Sequence, residues 1–233
     1  MIDAQISRAG YGLAPVLEDV SLRIDEPGLH VLLGRNGAGK TTLLRGLMGL
    51  LPELDGNVQV NGFATSGGVA LEKVAGAGVT YMPQDGGVFD VLTVEENLRL
   101  TDSAEDLAVC MDLFPVLHER RTQRAGTLSG GERKMLGLSR ALARTGVVVL
   151  LDEPTEGVWH TLVDSILLAL AEFASRRCIL LVEQSSLYLL EDARTAHVLA
   201  NGRLAMSGPA TDVLSNTEVQ ELLSLGSERG TTP

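Results

Sequence analysis

Apolar positions along the chain follow two patterns. Two short unbroken runs, Val147–Leu151 and Cys178–Val182, have strand length and the all-apolar character of parallel strands covered on both faces. Elsewhere apolar residues recur at helical spacing, as do Met135, Leu138 and Leu142 within a helix expected over Gly131–Arg144. Strands are further expected over Glu18–Ile24 and Leu29–Leu33, parted by a "DEPG" turn, in "GNVQVNGF", and in "GVTYMPQ". The pattern predicts helices over Thr41–Leu51, Leu162–Ser175 and Thr217–Leu225, and a hairpin in "HVLANGRLAMSG" turning at Asn201-Gly202. Thr93 with Glu96, and Ser103 with Asp106, read as capping boxes that start two helices. Strands and helices thus alternate at the spacing of an α/β domain with a helical insert near residues 88–145.

Composition narrows this picture. The 233 residues form one domain of ordinary size, 45% hydrophobic and 21% charged, and no apolar run reaches the length of a membrane-spanning helix. The opening "MIDAQISRAGYG" lacks a signal-peptide pattern, so a cytoplasmic location is expected. A net charge of −11 excludes a broad nucleic-acid surface, which needs clustered Lys and Arg. Cys110 and Cys178, far apart in apolar surroundings, read as reduced core residues.

The chemistry lies in short motifs. Gly34-Arg35-Asn36-Gly37-Ala38-Gly39-Lys40-Thr41 fits G-x-x-x-x-G-K-[ST] with a strand before it and a helix after. Its glycines let successive backbone N–H groups curl around a phosphate, assisted by the helix dipole. Lys40 can then reach the β and γ phosphates, and the Thr41 hydroxyl can ligate Mg²⁺. At the end of the apolar run, Asp152 would hold the metal and Glu153 could polarise an attacking water. Gln84 ends a strand where it could sense metal or water. Ser129, Gly130, Gly131 and Glu132, in "LSGGE", place a hydroxyl and two backbone N–H groups at a second helix N-terminus. Two phosphate-binding devices exceed the needs of one nucleotide, so the second is expected to complete another subunit's site.

Together these motifs resemble the ATP-binding-cassette (ABC) family, in order and over nearly the whole chain. "GRNGAGKTT" looks like its Walker A, "YMPQ" its Q-loop, "LSGGE" its signature, "VVVLLDE" its Walker B and Tyr11 its adenine-stacking aromatic. The resemblance implies an α/β P-loop NTPase cassette: a RecA-like core over 1–87 and 146–233, an N-terminal antiparallel β piece, and a helical subdomain over 88–145. It also implies ATP and Mg²⁺ as ligands. Gly34, Asn36, Gly37, Ala38, Gly39, Lys40, Thr41 and Thr42 would bind nucleotide, Thr41, Gln84 and Asp152 would bind Mg²⁺, and Glu153, Gln84 and Gln184 would be catalytic. The implied assembly is a homodimer or heterodimer with a second ABC ATPase, ATP lying between the Walker motifs of one subunit and the signature of the other. Integral permeases would dock near the Q-loop and the helical insert, where Phe89 and Val91 are candidate contacts with ordinary core packing as the competing reading, and place the chain peripherally on the cytoplasmic side of the membrane.

"YGLAPVLEDVSL", "TVEENL", "LFPVLHERRTQRAGTLSGGE", "DEPTEG" and "LLVEQ" look like ATPase subunits of branched-chain amino acid importers, with urea-importer subunits close behind. That subfamily adds an extracytoplasmic solute-binding protein to the expected partners. Gln184 stands where the wider family has a histidine reaching the γ-phosphate; it can donate a hydrogen bond but takes up no proton near neutral pH. It is therefore expected to sense the γ-phosphate, leaving base chemistry to Glu153, while Glu183 has no assigned role. Val158-Trp159-His160 departs from the Leu-Ala-Pro or Leu-Met-Pro typical of those relatives, and a chemical role for His160 is the weaker reading of a lone histidine. His30, His118 and His197 show no metal-ligand spacing. The competing readings are a soluble ABC ATPase serving DNA repair, chromosome structure or translation, and a scaffold for iron–sulfur assembly. The single short cassette and acidic balance weigh against the first, the ordinary apolar setting of both cysteines against the second.

Overall fold

The computed structural model describes residues 1–12, 14–184 and 192–224. Its centre is a six-stranded sheet built from β3 (Gly28–Leu33), β6 (Val79–Met82), β7 (Val148–Asp152), β8 (Cys178–Glu183), β9 (Thr195–Ala200) and β10 (Arg203–Pro209), in the order β10-β9-β3-β8-β7-β6. All neighbours are parallel except β10, which returns antiparallel on β9 across the expected Asn201-Gly202 turn. Every residue of β7 and β8 is buried. The reason is the pleat: Val149 and Leu151 enter a core shared with the helices, while Val148 and Leu150 enter a second core on the opposite face. Cys110 belongs to the first core and Cys178 to the second, so the sheet lies between them and both stay thiols. Burial pushes each thiol up to about 12.

The second core is closed by an antiparallel sheet of β1 (Ile2–Gly10), β2 (Pro15–Ile24), β4 (Glu53–Val60) and β5 (Phe63–Ala64), ordered β2-β1-β4-β5. Strand β1 was not anticipated; its alternation of buried Ile2, Ala4 and Ile6 with exposed Asp3, Gln5 and Ser7 is a half-buried strand pattern. Helix α1 (Lys40–Leu47) stops short of the expected Leu51. Gly49 turns left-handed there (φ +68), and a Cβ would come within 2.8 Å of the Thr65 carbonyl oxygen. A short helix α2 (Leu71–Gly76) precedes β6.

Between β6 and β7 lie α3 (Val94–Leu98), α4 (Ala104–Leu113), α5 (Pro115–Glu119) and α6 (Gly130–Leu142). The Thr93–Glu96 capping box forms as expected. At α4 only half of the second box exists. Ser103 Oγ accepts the Asp106 amide at 3.2 Å, but the Asp106 carboxylate is taken by Arg176 at 2.7 Å and by Arg177. Those arginines follow α7 (His160–Ala174), and Arg177 also donates to the Leu142 carbonyl at 2.6 Å, which fastens the helical insert to the core. The chain continues into α8 (Ala210–Ser215) and α9 (Thr217–Ser224); Leu225, the expected last residue of α9, and the side chain of His160 lie outside the described residues.

His30 and His197 are buried in a linear hydrogen-bond relay between β3, β9 and β10. Ser207 Oγ and His197 Nδ1 are 3.0 Å apart, His197 Nε2 and Thr195 Oγ1 3.1 Å, Thr195 Oγ1 and His30 Nδ1 2.8 Å, and His30 Nε2 and the Glu26 carbonyl oxygen 3.1 Å. The carbonyl can only accept, so with both rings neutral, as burial favours, each carries its hydrogen on Nε2 and donation runs one way from Ser207 to the Glu26 carbonyl. Burial lowers both to about 4. The unfolded chain binds protons near pH 6.5 and the folded chain near 4, so stability present above pH 6.5 drains away as the pH falls toward 4, by on the order of 3 kcal/mol per ring. The urea midpoint should therefore drop between pH 7.5 and 5, and drop less in His197→Gln. Equal slopes in the two proteins would remove the relay as the cause.

Candidate active site

Strand β3 feeds a loop, residues 34–39, that only glycine can close. Gly37 and Gly39 are left-handed (φ +80 and +106), and a Cβ on Gly39 would lie 2.7 Å from Leu17 Cδ2. Gly34 is tight against the Leu199 carbonyl oxygen, 2.5 Å from where its Cβ would be, and the Ala38 carbonyl accepts the Gly202 amide at 3.0 Å. These two loop residues therefore rest on the β9–β10 hairpin, while Asn36, Gly37, Gly39, Lys40, Thr41 and Thr42 line a cavity of about 310 Å³ together with Val16, Gln84 and Glu153. Gly39 caps α1 without a side-chain acceptor, so the first-turn N–H groups and the positive end of the helix dipole are available to an anion.

Lys40 is buried, and its Nζ donates to the Gly34 carbonyl at 2.7 Å and the Arg35 carbonyl at 3.3 Å, with Glu153 Oε1 3.2 Å away. Gln84 Nε2 donates to Glu153 Oε2 at 3.0 Å and to Glu156 Oε2 at 2.6 Å. Each oxygen of the Glu153 carboxylate thus has its own partner. The Glu153 backbone is fixed as firmly: its φ is +49, its amide donates to the Val182 carbonyl at 2.9 Å, and its carbonyl accepts Lys134 Nζ at 2.6 Å. A left-handed glutamate is costly and persists only where surrounding contacts determine it.

Asp152, the last residue of β7, is 1% exposed. Burial raises its carboxyl, against hydrogen bonds from Thr41 Oγ1 to Oδ1 and Tyr81 Oη to Oδ2, both at 3.3 Å. The Thr41 hydroxyl and Asp152 carboxylate form a pair of hard oxygen donors at the mouth of the phosphate loop, the chemistry that Mg²⁺ selects.

Other expected residues lie further out. Tyr11 is half exposed and does not line the cavity; its hydroxyl accepts Arg45 Nη1 at 3.1 Å, which ties it to α1. Gln184 is exposed in a bend directly after β8 and is not among the residues lining the cavity. Ser129 caps α6, with its hydroxyl donating to Glu132 Oε2 at 2.9 Å and the Glu132 amide returning to Ser129 Oγ at 3.3 Å. The Ser129 amide holds the Glu132 carboxyl below its usual range. Ser129 and Gly130 are exposed, and none of residues 129–132 lines the phosphate cavity of their own chain. Phe89 and Val91 are exposed, Phe89 under the Arg140 guanidinium at 4.8 Å, and so is Trp159 ahead of α7.

Sequence reasoning missed Val16, Tyr81 and Lys134, and it gave Glu183 no role. Glu183 is 3% exposed, and its Oε1 accepts both the amide (3.0 Å) and the hydroxyl (2.7 Å) of Thr155. It holds the turn that follows Glu153, and burial raises its pKa. Glu183→Ala leaves two buried donors unmatched and should cost about 2–4 kcal/mol in urea denaturation, whereas Glu183→Gln, which keeps an acceptor oxygen, should cost less. Equal losses in both variants would point to charge instead of acceptance.

The chain's likeness to known proteins agrees with this geometry. Residues 17–156 match the family model described as ABC transporter. The chain is 36% identical over 220 residues to the high-affinity branched-chain amino acid transport ATP-binding protein BraG of Pseudomonas aeruginosa, covering 91% of this chain and 94% of that protein. It is 31% identical over 218 residues to the lipopolysaccharide export system ATP-binding protein LptB of Escherichia coli K12, covering 89% and 90%. A solved structure of the ATP-binding subunit of an ABC transporter has the same fold, with a TM-score of 0.80 at 23% identity over 96% of this chain and 95% of that one. The chain belongs to the ABC transporter family and is one of its ATP-binding, ATP-hydrolysing subunits.

Proposed function

We propose that this ATPase energises a membrane importer of branched-chain amino acids or related small polar solutes. The observation that carries the ATPase chemistry is the bracketing of the Glu153 carboxylate by Lys40 and Gln84 at the phosphate loop. In this reading the loop amides and Lys40 bind the phosphate chain of ATP, and Glu153 accepts the proton of the attacking water while Gln84 orients it. Thr41 and Asp152 hold Mg²⁺, which neutralises charge on the phosphates when bound. Gln184, one residue beyond β8, donates to the terminal phosphate. Tyr11 swings from Arg45 to stack on the adenine.

A second ABC ATPase, identical or related, completes the site. Its support is the exposure of Ser129 and Gly130 at the N-terminus of α6, away from their own chain's phosphate cavity. The permease docks in a groove of about 300 Å³ lined by Met48, Leu50, Leu71, Tyr81, Arg140 and Arg144, with Phe89 beside Arg140. Leu50 and Leu71 are exposed there, an apolar floor with cationic walls suited to the end of a permease helix. No described helix is long and apolar enough to cross a membrane.

The reading is tested by purifying the chain from detergent-solubilised membranes. Co-purification of permease subunits, and uptake of labelled leucine that stops in a Glu153→Gln strain, is the expected result. A purely soluble partner set would defeat the transporter assignment, and unchanged leucine uptake would defeat the solute.

A further inference from the structure

Lys134 lies on α6, five residues beyond Ser129, yet its side chain turns into the protein. It is 9% exposed, its Nζ donates to the Glu153 carbonyl at 2.6 Å, and the acidic groups acting on it are Glu156, Glu183, Glu153 and Asp152. A buried ammonium is expensive, and burial lowers its pKa against those four carboxylates. Its target is the one non-glycine residue of the site whose backbone is left-handed. The Glu153 amide is already bound to Val182 on β8 and its carbonyl also accepts the Glu156 amide at 3.3 Å, so Lys134 supplies a third backbone anchor of that conformation, the shortest and the only charged one. Gly131, one turn before Lys134, is closed over by Leu162 of α7, whose Cδ1 lies 3.0 Å from where a Cβ would stand, so α6 is seated against the core where Lys134 enters it.

We infer that Lys134 is a positioning residue: it locks the left-handed backbone of Glu153 and so ties the orientation of the Ser129 helix to the geometry of the catalytic carboxylate in the same chain. The inference rests on the ATPase reading above. In a dimer whose Ser129 faces the partner's ATP while Glu153 faces its own, one hydrogen bond then links the two nucleotide sites. A displacement of α6 by the partner's nucleotide pulls on the Glu153 carbonyl and is felt at the other phosphate chain. An ångström of misplacement at a reacting group is enough to cost about a hundredfold in rate.

The test compares Lys134→Met, which keeps the chain length but donates nothing, with Lys134→Gln, which retains a donor, and with Glu153→Gln as control. Affinity for a fluorescent ATP analogue and single-turnover hydrolysis are measured on each. Affinity should stay within twofold in both Lys134 variants, hydrolysis should fall about 10- to 100-fold in Lys134→Met, and Lys134→Gln should recover part of it. Hydrolysis by Lys134→Met within twofold of the parent overturns the inference. So do equal losses in both variants, or affinity falling together with rate, which is what general loss of structure produces. If Glu153→Gln itself hydrolyses normally, it is the ATPase reading that fails; if it is inactive while Lys134→Met is not, only the role of Lys134 falls.

Discussion

Lys40→Ala should weaken ATP binding by at least about tenfold and up to about a hundredfold, the worth of a charge-assisted hydrogen bond of about 1.5–3 kcal/mol. Lys40 is held by the Gly34 and Arg35 carbonyls and faces Glu153 Oε1 at 3.2 Å, so its ammonium is already aimed into the cavity before any phosphate contributes. Its removal leaves the loop glycines in place but deletes the cation that balances the phosphate chain and the partner that holds one Glu153 oxygen. Titration with a fluorescent ATP analogue measures the loss. Affinity equal to the parent's would mean that the loop does not bind phosphate through Lys40.

Glu153→Gln separates binding from chemistry. Glutamine is nearly isosteric, and its one acceptor oxygen can keep the bond from Gln84 Nε2 but not also the contact with Lys40, which its amide NH2 would then face. What disappears is the negative charge opposite Lys40 and the ability to take a proton. A lost general base costs about 10²–10⁴-fold, so steady-state phosphate release should fall by that factor while ATP affinity holds or tightens. With hydrolysis blocked, the two-subunit closed form should persist on gel filtration in MgATP. Turnover near the parental rate would remove Glu153 from the role of base.

Most of the frame was legible in the sequence because its signals are local. Val147–Leu151 and Cys178–Val182 are apolar at every position since both faces of β7 and β8 are covered, and nothing distant is needed to see it. The glycine spacing of residues 34–39 and the Asn201-Gly202 turn are likewise local geometry. Strand β1 was lost because its alternation rests on only three residues, Ile2, Ala4 and Ile6, among polar ones, a weak signal beside a turn. What the sequence could not reveal were partnerships across the fold. Asp106 looked like the second half of a capping box, but arginines 70 and 71 residues away claim its carboxylate. Glu183 drew no role from the sequence, and its meaning lies in Thr155, 28 residues upstream and one strand over. Lys134 drew no reading from the sequence, and only the fold shows its ammonium reaching the Glu153 carbonyl. Val16 and Tyr81 enter the site through their strands; both lie inside quoted stretches, Tyr81 at the head of "YMPQ", but only the fold brings the Tyr81 hydroxyl to Asp152 and Val16 to the cavity.

Of the phosphate-loop residues expected to bind nucleotide, Asn36, Gly37, Gly39, Lys40, Thr41 and Thr42 line one cavity. Gly34 and Ala38 support the loop from the hairpin side and do not face the cavity, and Tyr11 is engaged with Arg45. The first follows from close backbone packing between the loop, β2 and the β9–β10 hairpin, where Gly202 leaves 2.2 Å between a Cβ and the Val16 carbonyl oxygen.

The central claim is that Lys40 and Glu153 act on one ATP, the first binding its phosphate chain and the second activating the water that cleaves it. Rapid mixing of Glu153→Gln with labelled MgATP, followed by quenching and chromatography of the bound nucleotide, tests it directly. The nucleotide should remain ATP over many parental turnover times; bound ADP appearing at the parental rate would contradict the claim.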